Sequence, residues 1–182
     1  MKLLLTPGHV EVVPQDRHPL LPLSKTQSSN TTTLSIFFGA LSVLGAGSME
    51  GPFLRIYVKD MYGNIMDAMQ ETPDAIIQEK GVIWFGSRWN MQSPLEKLAE
   101  GSMVVIELFR HSFQLGKAEC IGWTLMNLDD PNVLTSSVNA QPMQLDMYDP
   151  PATPEVESPN EWCRMPGNAA LQIELMLGSR NR

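Results

Sequence analysis

The chain has 182 residues, thirteen basic against twenty acidic, and its formal charge of −7 sets it against nucleic acid and anionic lipid at long range. A hydrophobic share of 43% supports one packed domain with room for tails. Two cysteines, Cys120 and Cys163, lack any metal-ligand spacing and read as reduced thiols of an intracellular protein, with a disulfide between them left open.

The opening MKLLLTPGHV is too brief for a secretory apolar core, because Thr6, Pro7 and Gly8 interrupt it at once. No run reaches the roughly eighteen apolar residues that a membrane-spanning helix needs. Residues 1–33 carry Pro7, Pro14, Pro19 and Pro22 and then SKTQSSNTTT, which offers little apolar area. The expectation is a proline-rich arm, extended or disordered. Its Leu3, Leu4 and Leu5 are candidates for docking on a partner.

From LSIFFGALSVLG onward the pattern becomes that of strands. Leu34, Ile36 and Phe38 share one face at a period of two. In FLRIYVKD the inward set is Leu54, Ile56 and Val58, with Arg55 and Tyr57 outward. TPDAIIQEK has the grammar of a short helix or lid, with Thr72 as cap and Pro73 in the first turn. GVIWFGSRW is a further strand. SPLEKLAEG again reads as a helical turn, capped by Ser93 and closed by Gly101. SMVVIELFR turns Val104, Ile106 and Leu108 inward and leaves Glu107 on the wetter side. ECIGWTLMNL and PMQLDM follow as strands, with Trp84 and Trp123 expected between the sheets. The acidic stretch at about 149–168, YDPPATPEVESPNEWCRMPGN, is long for a loop and is expected to be disordered or a functional insertion. Its Trp162 and Met165 are expected to dock on a neighbouring subunit. LQIELML closes the domain, with Leu171, Ile173, Leu175 and Leu177 opposed to Gln172, Glu174 and Met176. About seven strands separated by Gly, Pro and Asn turns predict an all-β, antiparallel sandwich over 34–182.

The order of these segments resembles a C2 domain, the β-sandwich family that binds phospholipid with calcium. LSIFFGALSVLG is similar to its opening strand and loop, and GPFLRIYV to its Asp-Pro-Tyr-Val-Lys-Val segment. EKLAEGSMVVIELFRH and AECIGWTLMNLDD are similar to its central strand and its Phe-Ile-Gly strand. The resemblance runs from about Leu34 to Leu177 and implies eight strands. It also implies where calcium ligands would stand: at Gly51, Arg110, Ser112 and Glu119, of which Glu119 alone is a carboxylate. Calcium takes six to eight oxygens, mostly from acids, so the expected module is calcium-independent.

A calcium-free member could still hold lipid through Arg55, Tyr57, Lys59 and Arg88, and a sugar or small ligand through Trp89 and Arg88. His9, His18 and His111 have no Ser/His/Asp or metal cluster around them, and FGALSVLGAGSMEG does not fit a phosphate loop. The chain therefore reads as non-enzymatic and without a cofactor. The leading expectation is a scaffolding subunit that contacts other proteins in a larger assembly, with peripheral membrane recruitment as the alternative and no nucleic acid. An intracellular, soluble or peripheral location follows; cytoplasm, cilium, cytoskeleton and organellar complexes all stay open.

Overall fold

Alternating apolar side chains give each strand one dry face, and two sheets bury those faces against each other. The computed structural model describes residues 17–24, 30–78, 81–112, 114, 116–134, 140–150 and 161–179. Among them run β1 (Thr32–Ser42), β2 (Glu50–Lys59), β3 (Gln70–Glu71), β4 (Ile76–Gln78), β5 (Val82–Asn90), β6 (Met103–Ser112), β7 (Lys117–Asn127), β8 (Gln141–Asp146) and β9 (Ala170–Ser179). They form a five-stranded sheet in the order β4-β5-β1-β9-β8 and a four-stranded sheet in the order β3-β2-β6-β7. Every strand pairing is antiparallel. The protein is an all-β sandwich. Among the described residues there are nine strands rather than eight, and two of them are short: β3 has two residues and β4 three.

The inward faces are those the alternation predicts. Leu34, Ile36 and Phe38 of β1 share one core with Leu54, Ile56, Val58, Val104, Ile106, Leu108, Leu171 and Leu175, all without exposed surface. In β1 the register slips after Phe38 against both neighbours. That bulge, at Gly39, turns Leu41 back into the core three residues after Phe38.

Of the two helical segments read from the sequence, TPDAIIQEK folds otherwise and SPLEKLAEG forms its turn without the expected cap. Thr72 does not cap a helix: its Oγ1 accepts from Leu54 N at 2.9 Å while its own N donates to Leu54 O at 2.9 Å. Those bonds extend the sheet past β3, and residues 76–78 become β4. In SPLEKLAEG only a 3₁₀ turn forms at Leu95–Lys97. Ser93 Oγ donates to Asp67 at 3.1 Å instead of capping, and Glu96 accepts from Thr32 N at 2.9 Å. A four-residue helix, α1 (Pro131–Leu134), is started by Asp130, whose Oδ1 accepts from Asn132 N at 2.8 Å.

The tryptophans are also redistributed. Trp89 packs between the sheets with no exposed surface, whereas Trp84 faces outward on β5 and stays 37% exposed. Trp123 is buried, but on the outer face of β7, covered by Tyr148 and Trp162 at centroid distances of 5.6 and 5.0 Å. Residues 146–149 and 163–165 make a narrow ribbon that supplies this cover. Trp123 and Tyr148 exchange backbone hydrogen bonds of 2.9 and 2.8 Å, Asp149 N donates to Cys163 O, and Arg164 pairs with Asp146 at 2.6 Å. The ribbon thus lies along the open edge of β7. Residues 151–160, the centre of the acidic stretch, lie outside the described residues.

Residues 17–23 treat the opposite edge in the same way. Pro19 bridges Glu71 of β3, Glu71 N donates to His18 O, and Leu21 N donates to Gln70 Oε1 at 2.8 Å. This strap is extended and lies on its own domain; residues 1–16 and 25–29 of the expected arm lie outside the described residues.

Met165 is only 8% exposed and belongs to the core, set against Gly122 of β7. We expect Met165→Ala to lower the unfolding free energy by about 2–5 kcal/mol, as a large core truncation does. Urea denaturation measures it; a change inside about 0.5 kcal/mol would return Met165 to the surface.

Candidate functional site

One end of the sandwich gathers the start of β2, the end of β6, the start of β7, the segment before β4, and the strap. At this end Gly51 adopts φ +48°, and a Cβ there would run into the His111 ring and stand 3.0 Å from Asp74 Oδ2. Glycine therefore lets the imidazole close over the β2 backbone. His111 also lies over Phe53, with ring centroids 5.5 Å apart. Arg17 of the strap joins them. Its Nη2 donates to Asp74 Oδ1 at 2.5 Å and to His111 Nε2 at 2.6 Å, and its guanidinium caps the Phe53 ring at 4.6 Å. His111 Nε2 also stands 3.4 Å from Asp74 Oδ1, so the three side chains form one compact cluster. Beside this cluster a cavity of about 360 Å³ is lined by Ser48, Glu50, Arg110, His111, Ser112 and Gln114.

The four positions that the C2 resemblance assigns to calcium, Gly51, Arg110, Ser112 and Glu119, do converge here. Their chemistry does not suit a divalent cation. Arg110 projects its own charge and holds the one carboxylate, Glu119, at 3.1 Å, while Gly51 and Ser112 offer no anionic oxygen. Arg17 takes Asp74 in the same way. Among the described residues no three His, Cys, Asp or Glu side chains come together as a metal site. The sequence did not pair Asp74 with Arg17: Asp74 stood only in the helical grammar of TPDAIIQEK, and the two meet across 57 residues.

The lipid candidates divide between the two sheets. Arg55 pairs with Glu71 at 2.8 Å and covers the Phe109 ring at 4.2 Å; Lys59 stands 5.7 Å from the ring of Tyr57, which is 5% exposed. Arg88 lies on the outer face of the other sheet, its Nη1 at 3.6 Å from Met176 Sδ. The four do not form one basic patch. Trp89, the sugar candidate, is fully enclosed, so no ligand reaches it. Of the partner candidates, Leu3, Leu4 and Leu5 lie outside the described residues, Trp162 packs on Trp123 and Tyr148, and Met165 lies in the core. No helix among the described residues is long and apolar enough to cross a membrane.

This strand order and this polar end can be set beside known proteins. Residues 21–175 match the family described as Axin interactor dorsalisation-associated protein, C-terminal. The chain belongs to that family. It is 29% identical over 106 residues to an Axin interactor, dorsalization-associated protein of Danio rerio, covering 58% of this chain and 33% of that one. The Xenopus laevis protein B and the Homo sapiens protein of the same name are each 29% identical over 99 residues, covering 54% of this chain and 31% of theirs. The chain spans about a third of the length of the curated relatives it matches.

Two groups near the site have displaced acidities. Burial pushes the Cys120 thiol up to about 11, with the Glu107 charge adding to it. Cys163 is exposed. A disulfide reagent at neutral pH is expected to modify one thiol rapidly in the native protein and the second only on unfolding. Equal rates, or a fast-reacting Cys120 in a Cys163→Ser variant, would contradict it. Burial likewise holds the Glu107 carboxyl above the ordinary range, against the pull of Arg55 and a hydrogen bond from Tyr57. The folded state binds that proton more tightly than the unfolded chain. Its contribution to stability is full below the ordinary carboxylate range and is lost as pH rises through the raised value. Glu107→Gln should therefore flatten the stability profile above about pH 4. Urea midpoints across that range test it, and an unchanged slope would refute it.

Proposed function

We propose that this chain is a non-enzymatic, calcium-independent sandwich module of C2 type that serves as a scaffolding subunit, contacting proteins of a larger assembly. Relatives in its family carry the name Axin interactor, which supports a protein as the partner class and makes Axin the first one to try. The observation that carries the calcium part is the seating of Arg17 and Arg110 on Asp74 and Glu119, at the end where a bound cation would need those oxygens. The overall charge of −7 and the pairing of Arg55 with Glu71 argue against recruitment by anionic lipid.

Two measurements test this reading. Titration calorimetry of the full chain with calcium should give no saturable heat, and saturable uptake would overturn calcium independence. In a lysate of its native cell the chain should elute from a sizing column well above its monomer position, with partner proteins that co-purify through a second step. Elution as a lone monomer, or salt-sensitive co-sedimentation with phosphatidylserine vesicles in place of protein partners, would overturn the scaffolding role.

A further inference from the structure

The outer face of the five-stranded sheet carries a second feature, remote from the polar end. Phe37, Trp84, Pro142, Gln144, Gln172 and Glu174 line an open groove of about 380 Å³. Its floor is cleared by two glycines under one indole. A Cβ at Gly39 would stand 3.6 Å from Trp84 Cζ3, and one at Gly86 would stand 2.8 Å from Trp84 Nε1. The ring therefore spans from β5 to β1 along the sheet, and Phe37 meets it edge-on at 6.2 Å and 64°. Trp84 remains 37% exposed although at its position β5 is paired with both β1 and β4.

Among the described residues, Trp84 Nε1 and the side chains of Gln144, Gln172 and Glu174 make no hydrogen bond or ion pair. Three of them donate: the indole N–H and two amides. The fourth is a carboxylate. Phe37 stands opposite Glu174, which lines the groove and gives it an acidic flank; Arg88, opposite Phe37 on the other side, is not part of the lining.

A proline-rich segment in the polyproline II conformation complements this set. Its rings pack on flat aromatic faces, its backbone offers carbonyl acceptors with few N–H donors, and its shape exists before binding. The groove has room for about three residues, one turn of such a helix. A cationic side chain beside the prolines would meet Glu174 on a protein whose net charge is −7. An anionic headgroup would be repelled by the same carboxylate. We propose that this groove binds a proline-rich segment of a protein partner, with Trp84 Nε1–H, Gln144 and Gln172 donating to its carbonyls and Glu174 pairing with a Lys or Arg at one end. The inference rests on the protein-interaction reading above and adds to it a surface and a ligand class.

The test uses the full chain labelled with ¹⁵N and follows its four indole N–H signals, the Trp84 signal being assigned with Trp84→Phe. Arginine-flanked octaproline should shift that signal saturably. Trp84→Ala should weaken binding about tenfold or more, in line with loss of one aromatic contact and one hydrogen bond. Trp84 lies outside the core, so the variant should keep its thermal midpoint; should it fail to fold, Glu174→Gln carries the test. That variant should bind arginine-flanked and uncharged octaproline alike, whereas the parent prefers the flanked peptide and loses the preference in high salt. The proposal is overturned by a Trp84 signal that neither peptide moves, by affinity that survives Trp84→Ala, or by a shift with cellotetraose in place of the peptides. The scaffolding role is read from complex size, so it can stand when this fails, and a monomeric protein that still binds the flanked peptide would refute only the former.

Discussion

Leu34, Ile36 and Phe38 share a single apolar layer with Leu54, Ile56 and Val58, and none of the six has exposed surface. Removing each such side chain from water contributes about 1.5–3 kcal/mol, so this layer decides which way every strand faces. Once Leu54 and Ile56 point inward, Arg55 and Tyr57 must point outward; once Val104 and Ile106 do, Glu107 meets Arg55 across β2 and β6. The polar end is a product of the same constraint. Gly51, His111 and Glu119 sit together because the β2–β6–β7 pairing brings the first residues of β2 beside the last of β6 and the first of β7.

Electrostatics then finishes what packing begins. The chain is acidic, yet Arg17, Arg55, Arg110 and Arg164 each lie against a carboxylate: Asp74, Glu71, Glu119 and Asp146. Three of these pairs are well open to water and contribute little to stability, whereas Arg55–Glu71 is largely buried. Their effect is on the local field. Each takes away a carboxylate that could draw a metal and a cation that could draw a phosphate.

The sandwich was legible because alternation is a local property. The inward sets of β1, β2, β6 and β9 can be read from residues two apart, and all of them hold. The two caps, and with Thr72 the helix behind it, failed for the opposite reason. Thr72 and Ser93 are competent caps, but Leu54 and Asp67, distant in sequence, offered stronger partners. The tryptophans failed likewise: Trp84 and Trp89 lie five residues apart in one strand, and only the irregular pairing of β5 with β1 tells which faces water. Of the candidate site, the strand pattern places Arg110 and Glu119 on β6 and β7, whose pairing sets them opposite each other. The roles of Arg17 and Asp74 were not legible, since a strap's landing place is set by tertiary contacts.

The strap and the ribbon also bear on how the molecule behaves in company. Both borders of the four-stranded sheet are occupied by the chain's own backbone, Pro19 at β3 and Tyr148 at β7. A bare border is a template on which another polypeptide can grow. A version trimmed to begin at β1 would present Glu71 N without the carbonyl of His18, and two such copies could zip together along that seam. The seven residues from Arg17 to Leu23 are thus a safeguard of solitude, keeping the sheet from extending into its neighbours.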